Sequence, residues 1–135
     1  MKAIPLLVLI LAAGAVGCDE NPVSPTPIVN VTWKLETVER VGNATITVPN
    51  PDQFTVRFES NSNLSVRADC NSCSGRYSLD GSSISIGNLA CTLIACPTPG
   101  VDQIFTAALQ NARTATASGN QLVMTGPDYT LRFRS

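Results

Sequence analysis

Apolar and polar residues alternate with a period of two through several short stretches of this chain, and that pattern dictates half-buried strands. Phe54, Val56 and Phe58 alternate with Thr55, Arg57 and Glu59. After the turn residues Asn61-Ser62-Asn63, Leu64, Val66 and Ala68 alternate with Ser65, Arg67 and Asp69. Near the end, Tyr129, Leu131 and Phe133 alternate with Thr130, Arg132 and Arg134. Within residues 31–38, Trp33 and Leu35 point one way and Lys34 and Glu36 the other. Successive side chains of a strand face opposite ways, so each stretch offers one face to a core and one to water.

Turn chemistry joins these strands. Asp80-Gly81 separates residues 75–79 from residues 83–87, and both tolerate positive φ, so a two-residue hairpin loop is expected there. That loop would set Tyr77 opposite Ile84, with Leu79 and Ile86 on the same face. Residues 44–48 form a short β-prone piece, and residues 121–125 follow a Gly119-Asn120 turn. One helix is expected, over residues 101–112. Val101, Ile104, Phe105, Ala108, Leu109 and Ala112 fall on one stripe at helical spacing, and Asp102 suits the first turn. The fold class is mainly β (α+β): a curled antiparallel sheet or half-open β-barrel, with one helix inserted before the last strands.

The N-terminus reads as a bacterial lipoprotein signal. Met1-Lys2 is followed by an apolar block over residues 4–16 and by Ala15-Val16-Gly17-Cys18. The block is too short for a good transmembrane helix and reads as a removable segment over residues 1–17. Cys18 becomes the lipidated N-terminus, carrying acyl chains such as palmitate. The alternative is an ordinary secretory signal cut elsewhere, for instance after Ala15. Residues 18–30 form a tether containing Pro22, Pro25 and Pro27. At about 3 Å per residue it reaches roughly 30 Å from a bilayer surface. Residues 31–135 form the domain. The expected location is the bacterial cell envelope, lipid-anchored on the inner membrane, the outer membrane or the cell surface.

A chain of 135 residues with a formal net charge of -1 holds one modest core and no basic patch for nucleic acid. It contains no histidine, which removes the commonest general base and the commonest metal ligand. A monomer without metal or cofactor is expected. With Cys18 assigned to lipid, Cys70, Cys73, Cys91 and Cys96 remain. Three readings stay open: two disulfides in an oxidising compartment, a zinc site, or a thioredoxin-like redox pair at Cys70 and Cys73. Lys34, Arg132 and Arg134 read as solvated strand positions and Asp69 as a turn residue.

Several segments together resemble the META-domain (HslJ-like) family of bacterial envelope proteins. The matching landmarks are Trp33-Lys34-Leu35, Phe54 to Phe58, Cys70-Asn71 with Ser74-Gly75-Arg76-Tyr77, and Thr92-Leu93-Ile94-Ala95-Cys96-Pro97. The helix through Phe105 and Leu109 and the closing Leu131-Arg132-Phe133 complete them. The resemblance implies a small β-rich domain with one helix, and no catalytic residues. Many members have Gly where Ala68 or Asp69 stands here, and many lack Cys73 and Cys91. Because Cys70 and Cys96 are the shared pair, the resemblance implies nested bridges, Cys70 to Cys96 and Cys73 to Cys91. The crossed pairing, Cys70 to Cys91 and Cys73 to Cys96, stays open.

The expected role is a non-enzymatic, membrane-anchored envelope domain that binds or supports another envelope component. A lipocalin-like carrier of a small apolar ligand, a Cys-based redox protein and a hydrolase are the rivals. A candidate groove under the helix draws on Trp33, Phe54, Phe58, Tyr77, Phe105 and Phe133.

Overall fold

A computed structural model describes Gly14, Gly17, residues 26–97 and residues 100–135. Cys18 lies outside the described residues, as do nearly all of the expected signal and the tether up to residue 25.

The strands are β1 (Thr32–Arg40), β2 (Ile46–Thr47), β3 (Phe54–Phe58), β4 (Asn63–Ala68), β5 (Asn71–Asp80) and β6 (Ser83–Ile86). After β7 (Ala90–Cys91) comes the helix α1 (Val101–Gln110), then β8 (Thr114–Ser118), β9 (Gln121–Thr125) and β10 (Tyr129–Arg134). Among the described residues, eight of these strands close an antiparallel barrel in the order β10-β9-β8-β6-β5-β4-β3-β1, with β1 returning to β10. The barrel is closed, not half-open. Closure runs from Lys34↔Arg134 to Arg40↔Tyr129, with a bulge between Leu35 and Thr37 that turns the strand at this joint. β2 and β7 are short additions on β1 and β5.

The alternation expected from sequence places Phe54, Val56 and Phe58 of β3 and Leu64, Val66 and Ala68 of β4 inside, with Leu131 and Phe133 of β10. The hairpin between β5 and β6 turns one residue later than expected. Asp80 pairs with Ser83, so the loop is Gly81-Ser82, and Tyr77 stands opposite Ile86, not Ile84. Gly81 adopts φ 58, a left-handed conformation that a residue with a Cβ resists, and this fixes the loop position. The partner moves by two residues, so every side chain keeps its face.

The helix stops at Gln110, short of residue 112. The Asn111 side chain donates from Nδ2 to the Ala107 carbonyl at 2.8 Å, and Arg113 N–H already bonds Thr125 O at 2.9 Å. The chain therefore leaves the helix to enter β8, a strand the sequence reading did not foresee. Phe105 carries the helix onto one end of the barrel. Its ring centroid lies 6.1 Å from Phe54 and 6.1 Å from Phe133. Full burial of such a ring stabilises by roughly 1.5–3 kcal/mol.

Residues ahead of β1 also pack on the barrel. Ile28 is buried, its carbonyl accepts from Trp33 Nε1–H at 3.0 Å, and Val29 bridges Phe58. Residues 28–30 are part of the barrel's packing, because the buried indole N–H has its acceptor on Ile28 and Asn30 N–H bonds Phe58 O.

Candidate functional site

The aromatic groove is corrected by the structure. Trp33, Phe54, Phe58, Phe105 and Phe133 are all buried in one core. An eight-stranded barrel is narrow enough for side chains to fill it, and these rings do so. Tyr77 is half-buried at the end of the barrel away from the helix. It packs edge-on to Phe58 at 5.0 Å and donates its hydroxyl to the Glu59 carbonyl.

The surface feature that does stand out is the loop following β7. The turn at Asp69 and Cys70 leads from β4 into β5, with Asp69 in a left-handed conformation and its N–H bonded to Gln53 O. Cys73 lies inside β5, not between strands, and faces Cys91 of β7 directly. The two are joined across a Cα–Cα distance of 4.0 Å. Cys70 is joined to Cys96 across 5.6 Å. All four sulfurs are thus held in disulfides, and Cys70 and Cys73 are bonded to different partners, not to each other.

Between the two bridges, Asn71 acts as a third clamp. The residue is 7% exposed. Oδ1 accepts from Ile94 N–H at 2.7 Å and from the Thr92 hydroxyl at 2.9 Å, while Nδ2 donates to Ile94 O at 2.9 Å. The amide thereby pairs with Ile94 as a neighbouring strand would. Thr92 adds two bonds to Ser72, one through its N–H and one through its hydroxyl. Only an amide supplies both a donor and an acceptor in that plane; an Asp would set a carboxylate against the Ile94 carbonyl.

What this clamp holds outward is apolar. Leu93 is 97% exposed and Ile94 58% exposed. Residues 91–97 carry no charge. Between the loop and the first turns of α1 lies a cleft of about 290 Å³ whose walls include Ala68, Asn71, Ile94, Gln103 and Thr106. Asp102, the one ionisable carboxylate lining it, accepts from Gly100 N–H at 3.2 Å.

The clamp coincides with the two most distinctive segments of the chain, Cys70-Asn71 and the run from Thr92 to Pro97. The family profile described as META domain matches residues 26–135. The chain belongs to the META-domain family. Among solved structures, this META domain is similar to a protein from Burkholderia xenovorans determined by NMR. The two share 23% identity with a TM-score of 0.67, over 87% of this chain and 95% of that one. A crystal structure of a duf4847 family protein from Bacteroides vulgatus is similar at 14% identity and a TM-score of 0.59, over 79% of this chain and 93% of that one. At these identities the likeness speaks for the fold. No curated protein matches the chain.

The remaining polar residues singled out from sequence have structural partners. Lys34 Nζ pairs with Asp52 at 2.7 Å, Arg132 with Glu39 at 3.1 Å and Arg134 with Glu36 at 2.7 Å, all on the outer wall. The hydrogen bond from Lys34, together with the lysine charge, holds the Asp52 carboxyl below its ordinary value. Sequence reasoning did not foresee the exposure of Leu93 and Ile94. Two adjacent apolar residues without alternation, between cysteines, are the signal that could have shown it.

Proposed function

We propose that this META domain is a non-enzymatic envelope protein, anchored through lipid on Cys18, that binds or supports another envelope component through its clamped apolar loop. The observation that carries the reading is Leu93, fully displayed on a loop that two disulfides and Asn71 hold rigid. A rigid apolar anchor loses little conformational entropy on docking, which is how binding surfaces gain affinity. The filled barrel interior speaks against a carrier of small apolar ligands.

The topology supports an outward orientation for this loop. The chain enters the barrel where Val29 bridges Phe58, at one end of β3. The loop is clamped beside Ala68, which pairs with Phe54 at the other end of β3. The two points are separated by about 14 Å of strand, at opposite ends of the barrel. A domain anchored by its N-terminus presents Leu93 away from its own membrane, toward a partner protein.

The test is photo-cross-linking in intact cells with a photoreactive side chain at Leu93, compared with one at the outward-facing Ser65. A discrete protein adduct at Leu93 and none at Ser65 is the expected result. Equal, diffuse labelling at both positions would overturn the proposal.

A further inference from the structure

Strand β8 is paired along its whole length on one side only. It meets β9 along its whole length, from Thr114↔Thr125 to Ser118↔Gln121. On its other side it meets β6 at a single residue pair, Ser83↔Thr114. Ala115 N–H reaches across that side to Ser82 O at 2.8 Å. Main-chain groups two residues apart in a strand point the same way, so Ala117 aims its N–H and C=O over the same edge. Beyond Ala115, no described strand pairs with this edge. Natural edge strands are usually blunted by a charge, a proline or a bulge. The β8 sequence Thr-Ala-Thr-Ala-Ser has none of these.

Beside the edge lies a cleft of about 360 Å³, lined by Ala115 and Ala117 together with Leu79, Ser82, Ile28 and the entering residues Thr26 and Pro27. Ala115, Ala117 and Leu79 face the barrel interior, so the floor of the cleft is apolar. Among the described residues, none that lines it is charged.

We propose that the outer edge of β8 is a docking site for an uncharged, extended peptide segment of another protein, which adds to the barrel as a short strand against Ala117. Ala117 supplies one donor and one acceptor to the incoming main chain. The alternation of a strand then drops one apolar side chain of the peptide between Leu79 and Ala117, with its neighbours facing water. The uncharged lining selects the occupant, because a carboxylate or ammonium placed there would lose hydration without a counter-ion. The site lies at the end of the barrel where the chain enters, opposite Leu93, and does not depend on the role of that loop.

The test uses the full-length chain with isotopically labelled amides and a blocked peptide of alternating threonine and valine. Its N-methylated version, of the same sequence but without main-chain donors, is the comparison. The first peptide is expected to shift the amides of Ala115, Ala117 and Ser82 with a Kd at or below about 1 mM. The methylated peptide and an Ala117→Pro chain should each weaken binding at least about tenfold, one removing the peptide's donors and the other the edge's. Leu93→Ser should leave it unchanged. No shift at these amides, or equal binding by the methylated peptide, would overturn the proposal. So would concentration-dependent shifts of β8 without peptide, which would mark a second copy as the occupant. Because the methylated peptide is tested on the unaltered chain, the proposal stays open to refutation even if Ala117→Pro does not fold.

Discussion

At the scale of single residues, two aromatic side chains do different jobs. Phe105 joins the helix to the barrel through Phe54 and Phe133 and is fully buried. Phe105→Ala should lower unfolding free energy by about 3–5 kcal/mol in chemical denaturation, because the surrounding strands cannot collapse into the space. A loss below about 1 kcal/mol would mean that the helix is not anchored there. Tyr77 sits at the other end, and burial, with the nearby Glu59 charge, pushes its phenol above the ordinary value of 10.0. A folded value above the unfolded one means the native state holds the proton more tightly. The resulting stability is fully present below pH 10 and is lost as pH rises through the folded value. Tyr77→Phe should therefore remove part of the alkaline loss of stability, seen as a flatter melting temperature above pH 10.

Among the elements, the clamped loop and β8 show how weakly hydrophobic segments are held. Strand β5 begins Asn-Ser-Cys-Ser, with little apolar surface to drive its pairing. Its pairing with β4 is reinforced by the bridge from Cys73 to Cys91 and by the side-chain pairing of Asn71 with Ile94. Each disulfide contributes about 3 kcal/mol by restricting the unfolded chain. Removing Cys73 and Cys91 together, as serines, should lower stability by that amount yet leave the loop closed by Cys96 and Asn71. Asn71→Ala should have the opposite profile. It strips the bonds that hold the Ile94 N–H and C=O, costs about 1–3 kcal/mol and speeds proteolysis within residues 92–97. Equal protease sensitivity in the two variants would argue against Asn71 as the organiser of the loop.

For the molecule as a whole, the arrangement of the two ends governs the functional reading. Under the proposed lipid anchoring, membrane association is expected to depend on Cys18, which ends the run Ala15-Val16-Gly17-Cys18. Cell fractionation of Cys18→Ser should move the folded domain from the membrane to the soluble fraction. Retention in the membrane at the original level would show that lipid on this cysteine is not the anchor. The same experiment on Leu93→Ser should leave the fractionation unchanged, because Leu93 lies at the end of β3 opposite to the one where the chain enters the barrel.

The period-two alternation alone determined which faces of β3, β4 and β10 are buried, since strand geometry leaves no other way to hide Phe54, Val56 and Phe58 together. The helical stripe likewise determined that Phe105 and Leu109 face a core. The Cys70-Asn71 and Thr92 to Pro97 segments pointed to the right part of the chain for the candidate site. Three things were left to the tertiary structure. β8 was illegible because alanine at its inward positions is too small to mark a buried face. The closed barrel was illegible because β1–β10 pairing joins segments at the two ends of the domain, and strand patterns carry no partner labels. The fate of the aromatics was decided by volume: residues that could have rimmed a groove instead meet in a barrel too narrow to leave one.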